Sequence, residues 1–319
     1  MKVSLNTFDR GYREVLRRLP NRGVYVYDEE WDNLIILDAC RYDTFKELNT
    51  VEGKLEARIS RGSATQEFLV ENFQKHPQKK AFKDVVYVAA NPFVSWLLPA
   101  EIFYRVYPVW DYGWDEGLLT VPPEPVVNAA LEARRLYPDK RLIVHFMQPH
   151  FPPLVGRPQG DTGQALKKIR SFTRDGANPD RVANLKRGYP PHVFATTTDG
   201  LLARGILTKQ ETLALYRENL RIVLSQVHGM LKQLPGVSIV TADHGHAFGE
   251  RLGTLYPFPV YGHWPGMRLG RLVLIPWLVT SNNGQVAAPA HESSESSSAP
   301  VSESDEDKIR DRLRKLGYE

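Results

Sequence analysis

Residues 34–37, Leu-Ile-Ile-Leu, form an unbroken apolar run that stops at Asp38. A strand with one wet face alternates apolar and polar residues, so four apolar residues in a row call for burial on both faces, as in a central parallel strand. A second, mostly β-branched run at 237–240, within VSIVTADHGHAFGE, stops at Asp243 and His244. VVYVAAN (85–91) and RLIVHFMQPHFPP (141–153) read the same way. The second of these runs into His145, Gln148 and His150, where Pro149, Pro152 and Pro153 halt the strand and stiffen the loop. Residues 211–234 have apolar side chains at helical spacing and lead straight into the 237 strand, which makes a βαβ crossover. The chain is therefore expected to be α/β, with a mostly parallel central sheet sandwiched by helices. Sites in such sheets form where strand ends meet loops.

The remaining segments are read from the same signals. Residues 1–32 suggest a short basic helix, and 33–281 one large catalytic-sized domain. PEPVVNAALEARRLYP (123–138) opens near Pro125 and ends before Pro138, a helix of about three turns. Residues 92–125, rich in proline and tryptophan, resist a regular assignment and suit a wall. The polar, locally basic stretch 152–208 is expected to be a lid or insertion. Pro276 inside the last apolar run, LVLIPWLVTS, argues for an edge strand or a bulge. Residues 282–307, Ser- and Glu-rich, read as a disordered linker, and 308–319 as a short helix able to dock through Ile309, Leu313, Leu316 and Tyr318.

Composition removes several classes. With 41 Lys and Arg against 37 Asp and Glu, a net charge of +4 favours an anionic substrate without calling for nucleic acid. Cys40 stands alone, so neither a disulfide framework nor a thiolate metal cluster is available, and a reducing compartment fits. No apolar stretch reaches the length of a membrane-spanning helix, and the expected location is the cytoplasm.

The chemistry-bearing residues fall at the ends of the apolar runs. Asp38, His150, Asp243 with His244, and His263 all lie there or in nearby loops, and a Ser/Thr-rich turn at 63–65 opens a helix. Carboxylate beside imidazole suits a borderline divalent cation. A hydroxyl at a helix start either caps the helix or sits among free N–H groups, where an alkoxide is favoured.

In their order, LDACRYD, the Ser/Thr turn, the P-H-F-P element, T-A-D-H-G-H-A-F-G-E, the following G-H and the strand with I-P resemble the alkaline phosphatase superfamily, in particular its sulfatase-like branch. The resemblance spans residues 33–280 and implies an alkaline phosphatase-like sheet. It further implies Asp38, Asp243 and His244 as ligands of a divalent cation, whether zinc, manganese, magnesium or calcium, with one ion as the default and a second open. The nucleophile would be Thr65 or Ser63; spacing does not separate them, and Thr65, directly before the helix, is the expected one. His150 and His263 match positions that contact the transferred group or hold a second metal, and Arg41 can contact the anion or pair with Asp43.

Sulfatases proper use a cysteine in a C-x-P-S-R element, which is missing here. The resemblance thus implies a metal-dependent hydrolase or transferase acting on a phosphodiester, phosphomonoester or phosphonate. Two alternatives stay open: a sulfate-ester hydrolase with an unmodified hydroxyl, and a non-catalytic anion-binding relative.

Overall fold

The computed structural model describes residues 20–77, 79–154, 197–253, 258–282 and 303–316, together with 11, 12, 14–16, 18 and 256. Most of the expected lid at 152–208, residues 283–302 of the linker at 282–307, part of the N-terminal segment and Tyr318 lie outside the described residues.

Among the described residues the strands are β1 (Asn33–Asp38), β2 (Lys54–Ile59), β3 (Val85–Ala89), β4 (Arg105–Tyr107), β5 (Arg141–Pro149), β6 (Gly236–Ala242), β7 (Ala247–Glu250), β8 (Val260–Gly262) and β9 (Leu274–Asn282). Seven of them form one sheet in the order β2-β9-β6-β1-β5-β3-β4, and β7 pairs with β8 in a small ribbon. Only β9 runs against its neighbours. The helices are α1 (Tyr42–Leu48), α2 (Thr65–Leu69), α3 (Phe93–Leu97), α4 (Val109–Tyr112), α5 (Pro123–Leu136), α6 (Thr198–Ala203), α7 (Lys209–Leu231) and α8 (Glu303–Leu316). They flank the sheet, with α5 and α7 packed on β5 and on each other.

The fully apolar runs take the central places for the reason their sequence gives. Leu34, Ile35, Ile36 and Leu37 are all wholly buried, and β1 is covered on both edges by parallel neighbours, β5 and β6. Each such side chain contributes about 1.5–3 kcal/mol by leaving water, so the alternative of an edge position would forfeit a large part of the core. The registers Ile36↔His145, Ile36↔Thr241 and Leu37↔Ala242 bring the three strands to a common end. Asp38, the end of β5 and Asp243 therefore arrive at one rim of the sheet. Thr208 and Glu211 start α7 with a reciprocal capping box, an arrangement in which the cap alone contributes about 1 kcal/mol.

Three local expectations are corrected. β9 is not an edge strand: β2, a polar strand absent from the sequence reading, covers it. Pro276 is tolerated because its carbonyl points toward β6, where it accepts from the Thr241 hydroxyl. Its missing N–H faces the same way, one residue past the last β6 pairing, Thr241↔Trp277, where the ladder has ended. The stretch 92–125 is partly regular, with α3, β4 and α4 inside it. Finally α8 starts at Glu303, before the expected 308, and docks through Ile309, Leu313 and Leu316, with Arg312 4.7 Å over the Trp114 ring.

Candidate active site

The turn after β1 is held in an uncommon shape. Ala39 has φ +59, a left-handed conformation that costs a non-glycine residue about 1–2 kcal/mol. Its N–H donates to Asp243 Oδ1 at 3.0 Å, and its carbonyl accepts from the Tyr216 hydroxyl at 2.7 Å. The same hydroxyl accepts from the Arg41 N–H at 2.9 Å, so α7 clamps the turn from above. That clamp fixes Asp38 relative to Asp243 although 204 residues separate Ala39 from the latter.

Around this clamp four predicted residues meet, all wholly buried. Asp243 Oδ1 also accepts the His244 N–H at 2.8 Å, leaving Oδ2 to accept from the Thr65 hydroxyl at 2.8 Å. His244 Nε2 lies 3.2 Å from Thr65 Oγ1, 3.4 Å from Asp243 Oδ2 and 3.5 Å from Asp38 Oδ1. Asn91, two residues after β3, donates its amide to Asp38 Oδ2 at 2.7 Å.

Ser63 belongs to the same turn but faces elsewhere. Its N–H donates to Glu67 Oε2, and its hydroxyl lies 2.8 Å from that oxygen and 2.6 Å from the Trp264 carbonyl. That is the work of a residue shaping a helix start.

The donor set suits a divalent cation on internal evidence. His244 Nδ1 is 2.7 Å from the Gly245 carbonyl, so the ring proton is assigned there. Nε2 then presents a lone pair to two buried carboxylates. Three electron-rich atoms converge, and burial lowers the pKa of His244, which opposes relief by protonation. A cation held by Asp38, Asp243 and His244 would resolve that conflict, with the oxygen and nitrogen ligands zinc or manganese accept. One ligand atom each from Asp38, His145 and Asp243 also fall within 4.8 Å of one another, which places a second imidazole beside the carboxylates.

A ring of histidines adjoins this cluster. The His263 ring lies 4.3 Å from that of His244 and 5.0 Å from that of His150, and His246 lies 5.7 Å from His263. His263 is carried there by the β7–β8 ribbon. Burial pushes His150 down to about 4 and His263 well below the usual histidine value, with neighbouring imidazoles adding to both effects. At neutral pH burial thus keeps His150 and His263 uncharged. His246 Nε2 is 2.8 Å from Asp199 on α6.

Arg41 does not reach this cluster. Its guanidinium is bound to Asp43 and, at 2.9 Å, to Glu250, with Arg271 3.1 Å from Asp43. Against the upward push of burial, Arg41 holds Asp43 and Glu250 each at about 2, with Arg271 adding at Asp43 and Lys209 at Glu250. Of the two roles open to Arg41 from sequence, the geometry takes the pairing with Asp43.

The site contains residues that sequence reading did not single out. Asn91 follows a buried strand by two residues and was readable as polarity just past a strand end. His145 was visible beside Gln148 and His150, but its partner Tyr87 lies on another strand, 3.0 Å from Nδ1. Asp199 sits in a stretch without periodicity and carried no signal.

No family model matches the sequence, and neither does any curated protein. Among solved structures, the chain is similar to the integral membrane lipooligosaccharide phosphoethanolamine transferase A (EptA) of Neisseria meningitidis, with 13% identity and a TM-score of 0.47 over 86% of this chain and 53% of that one. It spans about half the length of that relative. It is also similar to the C-terminal periplasmic domain of EptC from Escherichia coli in complex with zinc, with 14% identity and a TM-score of 0.46 over 82% of this chain and 77% of that one. A further match is an alkaline phosphatase superfamily protein from Vibrio parahaemolyticus, with 12% identity and a TM-score of 0.38 over 87% of this chain and 70% of that one.

Proposed function

We propose that this chain is a metal-dependent phosphoester hydrolase or phosphotransferase of the sulfatase-like alkaline phosphatase type, with Thr65 as nucleophile. The observation that carries the reading is the contact set of one hydroxyl: Thr65 Oγ1 stands 2.8 Å from the Asp243 carboxylate and 3.2 Å from the His244 imidazole. An ordinary capping threonine bonds to backbone N–H groups of its own helix. Here the hydroxyl is turned to residues 178 and 179 positions away.

A divalent cation held by Asp38, Asp243 and His244 would supply Lewis acidity and lower the pKa of the Thr65 hydroxyl. Thr65 Oγ1, its proton lost to solvent, attacks phosphorus, forming an O–P bond while the bond from phosphorus to the leaving oxygen breaks and that oxygen takes up a proton from water. His263, neutral, would offer an N–H donor to the phosphoryl oxygens as charge gathers there, whereas the one N–H of neutral His150 is held by the Phe151 carbonyl at 2.6 Å, so its Nε2 faces the site as an acceptor. Water or an acceptor alcohol then displaces Thr65 and restores it. Asn91 and the Ala39 turn hold Asp38 and Asp243 in place throughout, so the geometry is set before substrate arrives.

Elemental analysis of the purified protein with a panel of aryl phosphate, phosphodiester, phosphonate and sulfate esters tests this. The expected result is a stoichiometric divalent metal and turnover of a phosphorus ester, abolished in Asp243→Asn. Preference for the sulfate ester would convict the phosphorus assignment, and unchanged biological activity of a metal-free Asp243→Asn protein would favour an anion-binding module instead.

A further inference from the structure

Asp243 is secured unevenly. Its Oδ1 accepts two backbone N–H groups, from Ala39 at 3.0 Å and His244 at 2.8 Å, which fix that oxygen rigidly. Oδ2, the oxygen nearest Thr65 and His244, has no backbone donor among its described hydrogen bonds. The group standing behind it is His145 Nε2, at 3.8 Å, wholly buried and without a hydrogen-bond partner among the described residues.

The other ring nitrogen of His145 decides what Nε2 is. Nδ1 lies 3.0 Å from the hydroxyl of Tyr87, on the adjacent strand β3, in register Ala89↔His145. A buried phenol is a better proton donor than a neutral imidazole N–H, so Tyr87 donates and Nδ1 accepts. Nε2 then carries the proton and faces Asp243 as a donor. A lone-pair ligand at this nitrogen would require the opposite tautomer and leave the phenol proton without its acceptor.

We infer that Tyr87 and His145 form a buried hydrogen-bond relay whose task is to position Asp243 Oδ2 for the cation, and that His145 is a positioning residue and not itself a ligand. This rests on the metal-binding reading given under Proposed function. Carboxylate ligands are generally held by such partners, and loss of one typically lowers metal affinity about 10–100-fold. The 3.8 Å separation exceeds a hydrogen bond, so the His145 N–H acts on Oδ2 as an oriented dipole across a buried, low-dielectric gap.

The test compares wild type with His145→Leu, His145→Gln and Tyr87→Phe, reading zinc affinity by chelator competition, the visible spectrum of the cobalt(II) form, and thermal unfolding of the metal-free proteins. Glutamine places an amide N–H near the Nε2 position, so it can replace the donor. The expected result is a zinc affinity about 10–100-fold weaker in His145→Leu, largely regained in His145→Gln, intermediate in Tyr87→Phe, with cobalt band positions unchanged in His145→Gln. Wild-type zinc affinity in His145→Leu, with only the unfolding temperature lowered, would show a packing role and overturn the inference. Shifted cobalt bands in His145→Gln would make His145 a direct ligand and overturn it too. A wild type without zinc, manganese, magnesium or calcium affinity would bring down the parent reading, a result distinguishable from either.

Discussion

Thr65 Oγ1 donates to Asp243 Oδ2 at 2.8 Å, while the Ser63 hydroxyl, two residues earlier, lies between the Glu67 carboxylate and the Trp264 carbonyl. One turn thus separates a hydroxyl committed to the site from one committed to the helix start. Thr65→Ala is expected to lower kcat by about 10³-fold or more, the scale of losing a nucleophile, with metal content kept. Ser63→Ala is expected to cost about 1 kcal/mol of stability, one hydrogen bond's worth, with kcat nearly unchanged. Steady-state kinetics and thermal unfolding on both variants check this.

Metal removal is expected to lower stability. A cation that binds only the folded protein adds about 2.7 kcal/mol when present at 100 times its Kd. Unfolding temperature should rise with added divalent metal in wild type and stay flat in Asp38→Asn and Asp243→Asn. A metal-induced rise that persists in both variants would locate the cation elsewhere.

Arg41 is expected to matter for stability and not for substrate. It is almost wholly buried against Asp43 and Glu250. Because Asp43 is half-exposed, Arg41→Met should cost about 2 kcal/mol, below the figure for a fully buried pair. KM should be unchanged. The two carboxylates have depressed pKa values, so their contribution is complete above the unfolded value of about 4 and is lost as pH falls toward about 2. Urea titrations across that window should show the acid slope reduced in Glu250→Gln. A raised KM in Arg41→Met would instead reinstate the anion-contact role.

His150 sets a second pH dependence. Burial holds it at about 4, below the unfolded value of about 6.5. The unfolded chain therefore binds the proton first, and stability falls as pH drops from about 6.5 to about 4. In metal-free protein, His150→Gln should flatten this part of the curve. An unaltered slope would show that His150 is protonated in the folded state.

The sheet was legible because its central strands announce burial on both faces, as at residues 34–37, and because α7 carries a long helical stripe. β2 was not legible: Lys54, Glu56 and Arg58 make its surface polar, as suits an edge strand. Pro276 misled because a sequence shows that an N–H is missing but not which neighbour would have needed it. At the site, the strand-end residues Asp38, Asp243 and His244 were readable from pattern, whereas the choice between Thr65 and Ser63 depends on which way two side chains of one turn point. The Tyr87–His145 contact crosses strands, and Asp199 reaches His246 from a stretch with no period, so neither leaves a local trace.

Thr65 is expected to become covalently phosphorylated during turnover. Acid quenching of the reaction with a phosphorus ester, followed by mass spectrometry of the peptide spanning residues 62–75, reads this directly. The account predicts a phosphoryl adduct on Thr65, absent without divalent metal and absent in Thr65→Ala. An adduct on Ser63, or full turnover in Thr65→Ala, would contradict it.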